Sequence, residues 1–493
     1  LSGGAISAVS FASIPFFLFL PLVFSLYRLS RRKGWQNMVL LVASYFFYGW
    51  WDYRFCLLIL ASSLIDYFSG WWIDRVLDPR KRKVILILSL SASLGILGFF
   101  KYFNFFADSL AVALAGLGLD LNLSTLTIVL PVGVSFYTFQ TMSYTLDIYF
   151  GKCRANKDLV EYLTFVSFFP QLVAGPIERA TELLPQFRSA RAFSLVEARE
   201  GCRLILWGLV KKMLLADNLA GVVNQAYLVP AAASGAQLFL GTLCFAFQIY
   251  CDFSAYSDIA VGAGKLFGVR LRRNFAYPYF SQSISEFWRR WHISLSTWFR
   301  DYLFIPLGGS RVGRLLTIRN LALTALISGL WHGAAWHFVA WGALHGFYLA
   351  AGRLLRRQPG AKPYPAVPGG EDLVPRPMTA LRMGGVFVLV CVAWVLFRAG
   401  SLAEALSIYQ KIARQLWTPE FYASLVAITW EHRVTFGFLA AFVVLEWLGR
   451  RHWNALAIAN APTMLRWAIY TLLFWVVVCF GTQRTQDFIY FRF

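Results

Sequence analysis

The sequence predicts an all-α polytopic membrane protein, with about 11 transmembrane helices beside re-entrant and interfacial ones. Three observations carry that prediction. Of 493 residues 58% are hydrophobic and only 14% charged, against about 45–50% and 25% in soluble domains. The mean hydropathy is +0.56, so a water-facing surface would lack the polar side chains to cover it. Finally, apolar runs approaching the ~20 residues of a spanning helix recur along the chain, with basic clusters between them.

The basic clusters explain the charge. Lys and Arg number 46 against 25 Asp and Glu, a balance of +21. Nucleic-acid binding would call for a separate basic domain, and none stands out. Lys and Arg instead gather in loops, where they set topology and meet anionic membrane lipids. Arg31, Arg32 and Lys33 form one cluster and Arg80, Lys81, Arg82 and Lys83 another. Two predicted spans separate them, which places both on one side, the cytoplasm, of a bacterial inner membrane. The seven cysteines are dispersed, mostly within apolar runs and without a C-x-x-C pair. They form neither a disulfide framework nor a zinc knuckle.

Along the chain, the run at 11–27 is followed, not preceded, by positive charge. It reads as a first transmembrane helix with its N-terminus outside, since a signal peptide has the opposite order. Further candidate spans lie near 37–49, 54–73, 84–103, 107–118, 126–149, 158–175, 198–226, 236–268, 316–331, 336–354, 381–398, 433–449 and 465–482. Several are too short or interrupted to cross alone. Residues 165–176 are apolar yet hold Pro170, Gly175 and Pro176. Backbone of that kind at membrane depth lines a cavity or lies buried in protein, or else is a simple kink. The one long polar stretch, 356–377, is rich in Pro and Gly and reads as a surface loop before the last helices. The whole of 1–493 reads as a single membrane domain, with a catalytic core at about 158–355 and C-terminal helices at about 378–493.

The chemistry concentrates between Gln248 and His345. Ser283-Ile-Ser-Glu286 has the spacing of a capping box. From it one helix is expected to run through Tyr302. Trp288, Trp291, His292, Leu295, Phe299 and Tyr302 share its inward face, while Arg289, Arg290, Arg300 and Asp301 point largely away. Such a helix suits the membrane interface. His292 is then either an interfacial histidine with its hydrogen bond satisfied or part of an interior site. His332 follows an apolar run and Trp331. Ionisable groups inside spans mark functional sites by default, and burial favours the neutral imidazole that a general base needs. His332 and His337 lie five apart, roughly 140° around a helix, so a zincin-like metal site is not predicted. Asp252 and Asp258 must be paired, hydrogen-bonded or wet in so apolar a region. They orient a catalytic histidine or hold the fold together.

Four motifs carry a resemblance. They are Gln248-Ile-Tyr-Cys-Asp-Phe-Ser-Ala-Tyr-Ser-Asp258, Glu286-Phe-Trp-Arg-Arg-Trp-His-Ile-Ser-Leu-Ser-Thr-Trp298, Arg300-Asp-Tyr-Leu-Phe-Ile-Pro-Leu-Gly-Gly309 and Leu330-Trp-His-Gly-Ala-Ala-Trp336. In these the chain resembles the membrane-bound O-acyltransferase (MBOAT) family, and within it the bacterial alginate O-acetyltransferase (AlgI-like) branch. Weaker similarity runs from about residue 37 to the C-terminus. The resemblance implies an MBOAT-like fold around a central tunnel, with His332 as the family's histidine. It puts His292 where many members carry Asn or His as the second active-site residue. Asp252, Tyr256, Asp258, Trp288 and Trp331 become active-site support. No cofactor is bound tightly on this reading, and acetyl-CoA or another acyl thioester is the donor substrate.

The tail Phe488-Ile-Tyr490-Phe-Arg-Phe493 resembles the Phe-x-Tyr-x-x-Phe ending of acyl-export systems. Tyr490 is therefore either an acyl relay or an aromatic-belt anchor. The function so implied is acetyl transfer across the inner membrane to an exported polysaccharide or peptidoglycan, through a periplasmic SGNH-type acetyltransferase partner. D-alanyl export toward teichoic acid and a non-catalytic transporter or scaffold are the alternatives. No internal repeat of the transporter kind is visible.

Overall fold

A computed structural model describes residues 11–119, 126, 128–173, 175–355, 367–453, 455–482 and 488–492. Among them the regular structure is helical, with no strand. The chain divides into two compact units, residues 1–202 with 260–272, and residues 203–259 with 273–493.

The first unit is built on the helices Ile14–Arg28, Lys33–Asp52, Arg54–Arg75, Pro79–Leu97, Val134–Tyr149 and Leu159–Ser167. Local chemistry starts several of them. Asp78 accepts the Arg80 amide at 2.8 Å just ahead of Pro79, and Asp158 accepts the amides of Val160 and Glu161. Each side chain satisfies donors that a helix start leaves without a partner. The Asp66 carboxylate is fully buried and accepts hydroxyl donors from Ser89, Ser93 and Thr145. Three helices are thereby tied around one polar centre, as burial of a carboxylate requires. Two helices, Lys33–Asp52 and Arg54–Arg75, separate the two basic clusters, and of these the second is long and apolar enough to cross a bilayer.

In the interrupted apolar segment, residues 165–172, 175 and 176 are buried in protein. Its first helix ends at Ser167, Phe168 turns the backbone, and a single turn, Phe169–Leu172, begins with Pro170 near its start. Gln140 and Gln171 both donate to the Phe165 carbonyl, at 2.7 and 2.8 Å. They supply the donors that the broken helix lacks.

Among the described residues five helices are long and apolar enough to cross a bilayer: Arg54–Arg75, Pro79–Ala115, Gly235–Leu266, Pro377–Arg398 and Thr463–Phe480. A sixth crossing arises if Pro419–Glu431 and Arg433–Gly449, bent by 86°, act together. The count of about 11 is not reached by this criterion. Hydropathy alone does not see how often an apolar run is broken; Ile14–Arg28, for one, has 15 residues. The loop expected at 356–377 is irregular over 367–376, and its earlier part, 356–366, lies outside the described residues.

In the second unit, two helices meet at unusually short range. A Cβ added at Gly342, in Trp336–Leu355, would stand 2.4 Å from the Ala325 carbonyl oxygen of Arg314–His332. One at Gly329 would stand 2.3 Å from the Phe338 carbonyl oxygen. Small residues let the two backbones touch, the packing device of membrane helices. The pair fixes the end of the first helix, where His332 is the last residue.

Candidate active site

The helix predicted to run unbroken from Ser283 to Tyr302 is two helices. The start is as expected: Ser283 Oγ accepts the Glu286 amide at 3.2 Å, and Glu286 reaches back to the amide of Gln282 at 2.9 Å. But Ile284–Arg290 stops, and Ile293–Phe299 begins again after Trp291 and His292. His292 has φ 43° and ψ 55°, in the left-handed region. That conformation costs a non-glycine residue about 1–3 kcal/mol and persists where the surroundings enforce it.

Asn274 is what enforces it. Its carbonyl oxygen accepts the Ile293 amide at 2.9 Å. Its side-chain oxygen accepts the Ser294 amide and hydroxyl, and its amide nitrogen donates to Ser257 at 3.0 Å. Beside it, Ala276 donates to the Arg290 carbonyl at 2.9 Å. The break also revises the expected polar face. Arg290 is buried and paired with Glu286 at 2.9 Å, since the helix ends before it can point away. Arg289 and Arg300 are exposed as predicted.

The turn at His292 aims its ring inward, fully buried, with its centroid 4.6 Å from that of Phe253 and 6.0 Å from that of Trp331. His332 is 3% exposed. Its ring is enclosed by Trp331 at 5.0 Å, Trp341 at 5.0 Å, Phe397 at 5.4 Å and Tyr490 at 5.7 Å. Tyr490 in turn stands 4.7 Å from Phe253. Both predicted histidines and the tail tyrosine thus belong to one buried aromatic cluster, with protein packed against His332.

The supporting residues divide. Asp252, Phe253 and Tyr256 lie on the helix Gly235–Leu266 and face the C-terminal tail: Phe488 packs 4.3 Å from Tyr256. Asp258 points elsewhere, to Lys211 at 2.8 Å. Trp288 turns to a third histidine, donating to His345 Nδ1 at 3.3 Å. His345 is buried 4.7 Å from Trp341, so Trp341 lies between it and His332. Trp288, Trp341 and His345 also line an apolar cavity of about 240 Å³ with Leu295, Phe299 and Leu321. His337, next in the sequence, faces the Leu396 carbonyl at 3.0 Å.

The comparison with known proteins bears on what such a site does. The sequence profile of MBOAT, the membrane-bound O-acyltransferase family, matches residues 154–360. Over 394 residues the chain is 42% identical to the probable alginate O-acetylase AlgI of Pseudomonas putida, covering 80% of this chain and 78% of that protein. The chain belongs to the membrane-bound O-acyltransferase family. The peptidoglycan O-acetyltransferase of Helicobacter pylori is 34% identical over 422 residues, 80% of this chain and 77% of its own. The teichoic acid D-alanyltransferase of Streptococcus thermophilus is 30% identical over a shorter stretch, 44% of this chain and 55% of its own.

As a membrane-bound O-acyltransferase the protein is a multi-pass membrane enzyme that transfers an acyl group from a donor. The profile match includes Asp252, Asp258, His292 and His332 but ends well before Tyr490. Sequence reasoning missed Lys211, Lys212 and Asn274, and it gave His345 no role. The lysines were within reach, because two successive cations inside the apolar run 198–226 call for partners. Asn274 carries no such signal, since its importance lies in what it holds across space.

Proposed function

We propose that this acyltransferase takes an acetyl group from an acyl thioester, acetyl-CoA or a related donor, on the cytoplasmic side of the inner membrane. It passes the group outward for O-acetylation of an exported polysaccharide. The single observation that carries this reading is the meeting of Tyr490 and His332, with ring centroids 5.7 Å apart, within a site walled from lipid.

In the proposed step the Tyr490 hydroxyl oxygen attacks the thioester carbonyl carbon while His332 takes its proton. The C–S bond breaks, the thiolate recovers that proton from His332, and an acetyl-tyrosine ester remains. General-base assistance of this kind contributes typically about 10²–10⁴-fold. His292, packed on Phe253 and Trp331 of the same cluster, donates a hydrogen bond to the carbonyl oxygen as it gains charge. The cavity lined by Trp288, Trp341 and His345 would receive the donor's arm. Trp331 packs on both histidines, Trp288 holds His345, and Asp258 supports the fold through Lys211. The ester then passes to a periplasmic SGNH-type transferase, which acetylates the polymer.

The long similarity to alginate O-acetylases and to a peptidoglycan O-acetyltransferase favours acetyl over D-alanyl as the cargo. The test is His332→Ala in cells that make the polymer. Loss of product O-acetylation with normal amounts of protein is the expected result; retained acetylation would overturn the assignment.

A further inference from the structure

We infer that Asp252 is a positioning residue that clasps the C-terminal tail, holding the Ile489 amide so that Tyr490 stays against His332. The inference rests on the relay reading above for its consequence, though not for its geometry. Asp252 Oδ2 accepts the Ile489 N–H at 2.7 Å, one residue before Tyr490. Its other oxygen, Oδ1, meets Lys212 Nζ at 2.8 Å, and Lys212 also meets Asp217 at 2.9 Å. All three charged groups are nearly inaccessible: 3% exposed for Asp252, 2% for Lys212 and 5% for Asp217.

A buried ion cluster is a costly way to hold a fold, because apolar packing does the same at less desolvation. Here the cluster has a use that apolar side chains could not supply. A carboxylate fixed by a cation offers its second oxygen in one direction, and a charge-assisted bond to an amide is short and directional. Lys211 and Lys212 both turn inward on a π-helical turn, Val210–Ala216, a distortion that recurs at functional sites. Lys211 takes Ser254 and Asp258, each at 2.8 Å, which leaves Lys212 for Asp252.

Met213 of this segment and Asn218 just beyond it hold the chain upstream of the tail. Thr482 donates its amide to the Met213 carbonyl at 3.2 Å and its hydroxyl to Asn218 at 2.8 Å. The tail's aromatic residues then fall into place on the long helix, Phe488 against Tyr256 and Tyr490 against Phe253. Residues 252, 253 and 256 therefore form a cradle in which Asp252 supplies the polar anchor and the two rings supply register. A tail held by a hydrogen bond and by ring packing, with no covalent tie at the site, can dock at the histidines and also leave. A relay that hands its acyl group to an outside acceptor needs both.

The test uses the full-length protein in nanodiscs, with hydrogen exchange of the tail segment 488–493 as the docking readout. Ile489→Pro removes the donor while leaving the buried ions untouched, Ile489→Ala keeps the amide, and Asp252→Asn removes the charge. Tail exchange should rise roughly 10- to 100-fold in Ile489→Pro and Asp252→Asn, the range expected for losing a hydrogen bond to a charged group. It should stay near wild type in Ile489→Ala. Turnover at saturating donor should fall in parallel, with KM for the donor unchanged and exchange elsewhere in the protein normal.

Wild-type tail exchange in both Ile489→Pro and Asp252→Asn overturns the clasp, whatever their activity. Wild-type turnover from a released tail, in a protein where Tyr490→Phe is inactive, overturns its positioning role. If Tyr490→Phe remains fully active while Asp252→Asn still frees the tail, the relay reading fails and the clasp stands.

Discussion

Tyr490 lies near the end of the second unit's sequence and His332 near its middle, yet their rings lie 5.7 Å apart, with Phe397 beside both. This contact separates a tail that merely anchors the chain from one that takes part in chemistry. Tyr490→Phe keeps the ring and its packing on Phe253 and removes only the hydroxyl. The expected outcome is loss of polymer O-acetylation with thermal stability within about 1 kcal/mol of wild type. Acetylation assays beside a melting curve check it, and wild-type acetylation would leave the tail as an anchor.

The backbone at His292 limits what can replace it. With φ 43° the position favours Gly, Asn, Asp or His and resists β-branched side chains. His292→Asn should fold nearly as well as wild type and retain part of the activity. His292→Val should lose about 1–3 kcal/mol more stability than His292→Asn, from backbone strain. Chemical denaturation of the two variants side by side gives the comparison, and equal stabilities would contradict the strain argument.

Asn274 holds that strained turn through its own side chain. In Asn274→Ala, Ser294 loses an acceptor and Ser257 a donor in a buried site. The expected cost is about 2–3 kcal/mol, together with reduced turnover because the His292 ring is no longer fixed. Asn274→Asp keeps the acceptor for Ser294 and should be milder in both respects. The prediction fails if the two substitutions are indistinguishable in melting temperature and rate.

These residues also mark where the sequence was legible. The capping box at Ser283 is visible because its spacing is local, and the structure keeps it, with Glu286 reaching one residue further back. The break eight residues later is invisible because apolar residues continue at helical spacing through Trp291 and His292. What stops the helix is Asn274, a partner from another part of the chain, and local propensity yields to it. His332 was legible as out-of-place chemistry in an apolar run, His292 by its place on the apolar face of the expected helix, and Tyr490 only through the resemblance of the tail. Lys211 and Lys212 were equally out of place but hid inside a run that read as ordinary helix. Their partners Asp252 and Asp258 stand out in the same apolar sequence, but the pairing is made across space.

Lys212 itself carries a strong expectation. Lys212→Met would leave Asp217 and Asp252 as buried carboxylates without their shared cation. Breaking a buried pair from one side costs about 3–5 kcal/mol, so the variant should be poorly expressed or melt far below wild type. Lys212→Met combined with Asp217→Asn and Asp252→Asn removes the stranded charges and should recover most of that stability. A double-digit drop in melting temperature that persists in the triple variant would show that the lysine's packing, not its charge, is what matters.

The close approach of Arg314–His332 and Trp336–Leu355 gives the last prediction a built-in control. A methyl group at position 342 has nowhere to go: the Ala325 carbonyl oxygen stands 2.4 Å from where its carbon would sit, and the Gly329 Cα 3.1 Å away. Both obstacles are backbone, so relief requires the helices to separate. Gly342→Ala should therefore cost about 1–3 kcal/mol, as overpacking does. Because His332 ends the first helix, the same separation should shift its ring and lower turnover. Gly352 lies on the same second helix with nothing within 4 Å of an added Cβ. There the backbone gains helix propensity without a clash, so Gly352→Ala should be neutral or stabilising by up to about 1 kcal/mol and leave turnover unchanged. Melting curves and acetylation rates of the two variants separate a general effect of glycine replacement from the specific contact, and equal behaviour at the two positions would mean that the helix contact does not set the position of His332.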